Sequence, residues 1–176
     1  QLLEVGLGGR LDAVNIVDAD AALISSIDVD HTAWLGSDKS AIALEKAGIF
    51  RAHQKAVCGD KDVPQSLLDY AQSMGTDLRL AGRDFKHKNQ AASWQLQLPN
   101  GGVTNYPLPA LKGEHQIQNA AAVISLLALI AADLPVSKEA VDAGLIAVNL
   151  PGRLQQLGAR PAIFVDVAHN PESART

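Results

Sequence analysis

The sequence predicts an α/β fold, a mostly parallel sheet with flanking helices and a small β-hairpin excursion, and three observations carry that prediction. Short continuous apolar runs alternate with amphipathic stretches that begin at capping residues, which is the order of a βαβ architecture. The runs are continuous rather than alternating, as strands buried on both faces of a parallel sheet require. Late in the chain, Asn100-Gly101-Gly102 separates two segments of strand composition, a hairpin pattern set apart from the βα units. A chain of 176 residues with 47% hydrophobic content is long enough for one domain with a real core and too short for two.

Residues 2–5 form an apolar run that feeds the glycine-rich turn Gly6-Leu7-Gly8-Gly9, so they read as a first strand. Residues 21–27 are a second, doubly buried strand. Ser37 is positioned to cap a helix running to about Phe50, residues 55–58 start the next strand, and Pro64 opens the next helix. Residues 81–90 are polar and basic with few apolar anchors, and are expected to be the flexible connector. A hairpin follows from residues 93–98 and 103–108, an excursion spanning about 85–110. Helices are expected over 116–132 and 137–148, and the apolar run 162–165 reads as a further buried strand.

The net charge is −4 and the fifteen Lys and Arg are scattered, so the basic footprint of a nucleic-acid binder is missing. The apolar run 120–132 is broken by Ser125 and falls short of the roughly 20 residues that cross a bilayer, so no membrane partner is expected. One cysteine, Cys58, and the lack of a charged-then-apolar leader predict a reducing, cytoplasmic setting. The abrupt start at Gln1 and stop soon after Asn170-Pro171 predict a piece of a longer chain.

In open α/β sheets ligands gather at the carboxyl ends of the strands, which singles out three clusters. The first is Glu4 with the loop 6–10. A carboxylate inside an apolar run is costly unless paired, and either a metal or an ion pair with Arg10 would resolve that cost. The second is Asp28-Val29-Asp30-His31, where His31 is a hydrogen-bonded histidine or a ligand, and Asp28 and Asp30 are turn caps by default. The third is Asp166-Val167-Ala168-His169-Asn170. Lys46 stands out because helical spacing puts it beside Ile42, Ile49 and Phe50 on an apolar face. Its stem could be buried with the ammonium reaching water. Alternatively, desolvation would favour a neutral amine able to take up carbon dioxide as a carbamate. The GLGGR loop matches neither a dinucleotide nor a phosphate-loop pattern, and no phosphate loop occurs anywhere in the chain.

Six strings, in order, are EVGLGGRLDA at 4–13, DHTAWLG at 30–36, EKAGIF at 45–50, GEHQIQNAAA at 113–122, PGR at 151–153 and DVAHNP at 166–171. Together they resemble the folylpolyglutamate synthase and dihydrofolate synthase family of the Mur ligase superfamily, and they separate it from the peptidoglycan-precursor ligases. The resemblance implies part of a central ATP-binding ligase domain filling residues 1–176, with the phosphate loop and a second metal site upstream and a glutamate-binding domain downstream. It implies an amide ligase that phosphorylates a carboxyl of dihydropteroate or a folate with ATP and lets glutamate displace the phosphate. Its partners would be these small molecules, and the enzyme a cytoplasmic monomer.

By the same resemblance Glu4 and His31 would bind Mg2+, and Lys46 would be a carbamylated lysine, so that Lys46 and His31 form the catalytic pair. Leu11, Asp12 and Ala13 would contact the pterin, and Asn119, Arg153 and Asp166 would surround ATP. Physically, an amide in the first turn of a helix can pair with a base edge or satisfy the helix end. Arg153 can fork onto phosphate and Asp166 can accept from ribose hydroxyls, with surface ion pairs as the competing account. His169 and Asn170 would sit at the nucleotide pocket or at a hinge. Two positions depart from the family pattern, Val14 where threonine is common and Ala33 in the histidine motif. The rival readings are another Mur-type ligase, and a non-catalytic fragment acting as a nucleotide-binding or folding unit. A dinucleotide-binding module lacks its glycine loop here.

Overall fold

The computed structural model describes residues 1–28 and 38–168. Its heart is a three-stranded parallel sheet of β1 (Ala21–Ile24), β2 (Lys55–Cys58) and β3 (Asp77–Leu80), in that order. The register is even, with Ala21 opposite Lys55 and Lys55 opposite Asp77. Side chains alternate across a strand, and β2 shows this directly. Ala56 and Cys58 enter a core with α1 (Lys39–Ala47) and α2 (Gln65–Met74) on one face. Val57 joins the opposite core with α3 (Glu114–Leu129) and the second sheet. Both faces are therefore covered, which is why these strands read as continuous apolar runs.

The helices start and stop where their caps dictate. Asp38 accepts from Ser40 N at the head of α1, and Ser137 Oγ accepts from Ala140 N at the head of α4 (Lys138–Ala147). Gly75, left-handed at φ 66°, closes α2. Ser37, expected as the first cap, lies outside the described residues, as do Asp30, His31, His169 and Asn170.

The second sheet is antiparallel, β4 (Lys86–Asn89), β5 (Ser93–Gln97) and β6 (Val103–Pro107). Its inner face carries Trp94 and Leu96, both buried, and Trp94 stacks on Tyr106 with centroids 5.1 Å apart while donating to Pro107 O at 2.9 Å. The expected hairpin is present, but residues 81–90 are not a loose connector. Ala81 and Phe85 are buried, and β4 pairs along β5, so a third strand hides in a stretch whose outward side chains are lysines.

Two further expectations are corrected. Residues 2–5 are not a strand, and Leu2 is 96% exposed. A strand needs a ladder partner, and among the described residues none pairs with them. Residues 162–165 do form a strand, β8 (Ala162–Val165), but it pairs antiparallel with β7 (Gln155–Ala159) and all four residues are exposed. Apolar composition marked the strand and could not say which face another element covers.

Candidate active site

The loop that carries Leu11, Asp12 and Ala13 is built around one carboxylate. Asp12 Oδ2 accepts from Gly6 N at 2.9 Å and Leu7 N at 3.2 Å, and its Oδ1 accepts from Val14 N at 3.0 Å. These bonds, that from Val14 foremost, hold its carboxyl below the usual carboxylate range. Asp12 caps a short 3-10 turn, Ala13–Ile16, which the sequence reading missed. The effect is to present Leu11, 80% exposed, and Ala13 to solvent on a rigid turn. Asp12 itself has both oxygens committed to the backbone.

The loop is docked on the C-terminal end of α1. Arg10 N donates to Glu45 O at 2.8 Å, and Arg10 Nη2 pairs with Glu45 Oε1 at 2.8 Å. A methyl on Gly9 would stand 2.7 Å from Glu45 O, and one on Gly48 would stand 2.4 Å from Arg10 Cβ, so both glycines are required by close approach. Asn15 donates to Arg10 O and Gly48 O, while Arg51 grips Asn15 and pairs with Asp18. Lys46 sits in the last turn of α1, half-buried, with its carbonyl against Gly9. The geometry thus brings Lys46 and the loop 6–13 together. Glu4 is exposed, and Arg10, its expected ion-pair partner, is taken by Glu45. The expected buried cost of Glu4 does not arise.

Arg153 and Asp166 lie near one another at the base of the β7–β8 hairpin. Asp166 Oδ2 accepts from Leu154 N at 2.6 Å and its Oδ1 from Ala168 N at 2.7 Å; these bonds lower its pKa, helped by the charges of Arg153 and His115. Each oxygen keeps a second lone pair for a hydroxyl donor. Arg153 is exposed and follows Gly152, which adopts a positive φ of 75° and whose missing Cβ leaves room for the Val167 side chain. Arg153 also borders an open cleft of about 480 Å³, with Lys112, Asn149 and Phe164 among its walls. Its lining includes neither Asp166 nor Asn119. Asn119 is half-buried in the second turn of α3 rather than the first, because the helix begins at Glu114, two residues before its expected start. Its neighbour Gln118 donates to Gly59 O at 2.7 Å and ties α3 to the end of β2.

The sequence reading passed over His115. Its Nδ1 is buried without a hydrogen-bond partner among the described residues, and its ring fills the space a side chain on Gly113 would need. It also passed over Asp60, which the strand-end rule would have flagged had it been applied after β2 as it was after the other strands.

These two sites can be set beside known proteins. The Escherichia coli dihydrofolate synthase/folylpolyglutamate synthase is 42% identical over 173 residues, covering 98% of this chain and 40% of that protein. The chain is a homologue of the dihydrofolate synthase/folylpolyglutamate synthases. The solved structure of E. coli FolC in complex with ADP, without folate substrate, superposes with a TM-score of 0.87 at 42% identity over 97% of this chain and 40% of that one. A bifunctional folylpolyglutamate synthase/dihydrofolate synthase with Mn, AMPPNP and L-glutamate bound gives 0.85 at 44% identity, again over 97% and 40%. No family model matches the chain. The chain therefore spans about 40% of the length of the synthases it matches, and their α/β architecture is the one expected from its sequence.

Proposed function

We propose that the parent of this chain is an ATP-dependent carbon–nitrogen ligase that adds L-glutamate to dihydropteroate, to folate polyglutamate tails, or to both. It would work in the cytoplasm as a monomer on small molecules, with neither nucleic acid nor membrane as partner. This chain would be part of its central ATP-binding domain, the phosphate loop and glutamate-binding domain lying in the rest of the parent. The observation that carries the reading is the likeness over 97% of the chain to a synthase holding Mn, AMPPNP and L-glutamate.

The residues support such chemistry. Asp166 offers an acceptor and Arg153 a cation near it, which suits the ribose and phosphates of a nucleotide. Asn119 would read the base. Leu11 and Ala13 would meet the pterin, with Asp12 holding them in place. The γ-phosphoryl group passes to the substrate carboxylate, ADP leaves, and the glutamate amine attacks the acyl carbon to expel phosphate and form the amide. Two anions must approach, so cationic support and positioning are the chief requirements. A bound Mg2+ would supply charge neutralisation at the phosphates. Glu4 offers a hard oxygen donor, exposed and available, but among the described residues no three His, Cys, Asp or Glu gather as a metal group. A metal there would be held by Glu4 and His31, with Lys46 as its carbamate supporting the site.

The test is phosphate release from ATP by the full-length parent, with dihydropteroate or tetrahydrofolate, with and without glutamate. Release that needs both a pterin and glutamate is expected. Release dependent on a different carboxylate would make it another Mur-type ligase.

A further inference from the structure

Helix α3 meets the carboxyl end of the parallel sheet through Gln118, the residue before Asn119. Gly59, buried at the end of β2, carries the β1–β2 pairing one step further, its N–H donating to Ile24 O at 2.8 Å. Its carbonyl has no backbone donor among the described residues and accepts instead from Gln118 Nε2 at 2.7 Å. Left unpaired there, that carbonyl would carry the full desolvation cost of a lost hydrogen bond. A methyl on Gly59 would lie 3.1 Å from Ala122 Cβ and 2.7 Å from Ser25 O, so the helix and the ends of both strands are in close contact at this point.

Little else holds the rotation of α3 about its axis. The residue at its N-cap is Gly113, which offers no side-chain cap. The face shared with Gln118 at helical spacing is Ala121, Ala122 and Ser125, all buried, and Ser125 Oγ turns back onto Ala121 O of its own helix. Methyl groups let a helix approach closely but present shallow ridges against rotation. Among the described residues, the Gln118 amide makes the only side-chain hydrogen bond that joins α3 to another part of the chain. Asn119 lies on the adjoining stripe, with His115 one turn before it and Val123 one turn after. Val123 is 43% exposed, so the stripe borders open space, and His115 at its head lies within electrostatic reach of Asp166.

We infer that Gln118 is a positioning residue for the nucleotide base: its bond to Gly59 O fixes the turn of α3, and with it the direction in which the Asn119 amide is presented. The inference rests on the reading that Asn119 meets the base. It assigns Gln118 no contact with the nucleotide.

The experiment uses the full-length parent and measures the Kd for ATP and for GTP, with the KM for the pterin, in wild type, Gln118→Met, Asn119→Ala and the double variant. Methionine matches the length of glutamine and offers no donor. Gln118→Met is expected to raise the Kd for ATP about tenfold, the usual contribution of a hydrogen bond to the base, with the KM for the pterin unchanged. The preference for ATP over GTP is expected to fall by the same factor, since a carboxamide selects adenine only when both its groups meet the base edge. A merely structural role would lower the melting temperature and leave that preference intact. On the Asn119→Ala background, Gln118→Met is expected to add no further change, because it acts through Asn119. A wild-type Kd and preference in Gln118→Met, or an effect that adds in full to that of Asn119→Ala, would overturn the inference. If Gln118→Met does not fold, Gln118→Asn, whose amide is too short to reach Gly59 O, decides by the same two measures. Nucleotide binding that Asn119→Ala leaves unchanged refutes the reading of Asn119 and the inference with it. Binding that depends on Asn119 in a parent that joins no glutamate refutes the ligase reading alone.

Discussion

Asp12 organises the loop proposed for the substrate through its bonds to the backbone. The resemblance implies a pterin contact for the 11–13 turn, and the Asp12 carboxylate accepts from the Gly6, Leu7 and Val14 N–H groups. Sequence could not distinguish these roles, since an aspartate at a turn serves either. Asp12→Asn removes one acceptor oxygen and places an N–H against a backbone donor, so the loop should lose its single conformation. The expected outcome in the full-length parent is a raised KM for the pterin with the KM for ATP unchanged; equal KM values for wild type and variant would return Asp12 to direct contact or to no role. The pH dependence follows in sign. The folded pKa lies below its ordinary value of 3.8, so the bonded loop is stabilised above the unfolded pKa and this contribution is lost only as pH falls through the lowered value. Loop order is therefore expected to survive at pH 5 and above, checked by hydrogen exchange of residues 6–14.

At the scale of elements, α1 is the piece on which the proposed site depends, since its last turn carries Lys46 and receives the loop 6–13. The sequence made this helix legible through its apolar spacing, along with β2, α2, the hairpin of β5 and β6, and α4. It did not reveal β4, because alternate residues of that strand are lysines facing water and its composition is that of a loop. Nor did it reveal how tightly the loop sits on α1, because close approach between segments far apart in sequence leaves only glycines as a trace. Gly48 is one of these. Gly48→Ala would put a methyl 2.4 Å from Arg10 Cβ, and such overpacking costs about 1–3 kcal/mol. The expected result is a lower melting temperature, together with a weakened Arg10–Glu45 contact and a raised KM for the pterin. A melting temperature and KM equal to wild type would mean that the loop is not anchored on α1 as described.

Across the whole molecule, burial is unevenly shared, and the pattern separates scaffold from site. β2 lies in the middle of the parallel sheet, and Ala56, Val57 and Cys58 are fully buried between the two cores. The Cys58 thiol is accordingly pushed up to about 11 by burial, which leaves it protonated and unreactive at neutral pH. At the other extreme, β7 and β8 contain no buried residue, although they frame Arg153 and Asp166. Exposed ladders open locally at little free-energy cost, whereas amides of a doubly covered strand exchange only through global unfolding. Backbone amides of β2 are thus expected to exchange slower than those of β7 and β8 by on the order of 100-fold or more in this chain, as read by hydrogen-exchange mass spectrometry. The same experiment is expected to place β5 with the slow group, since Trp94 and Leu96 anchor that central strand against α3. Equal protection of β2 and β8 would show that the hairpin under Arg153 and Asp166 is as rigid as the scaffold. Faster exchange in β8 would instead show that the groups proposed for the nucleotide stand on a less stable ladder than the scaffold, where a bound nucleotide would add order.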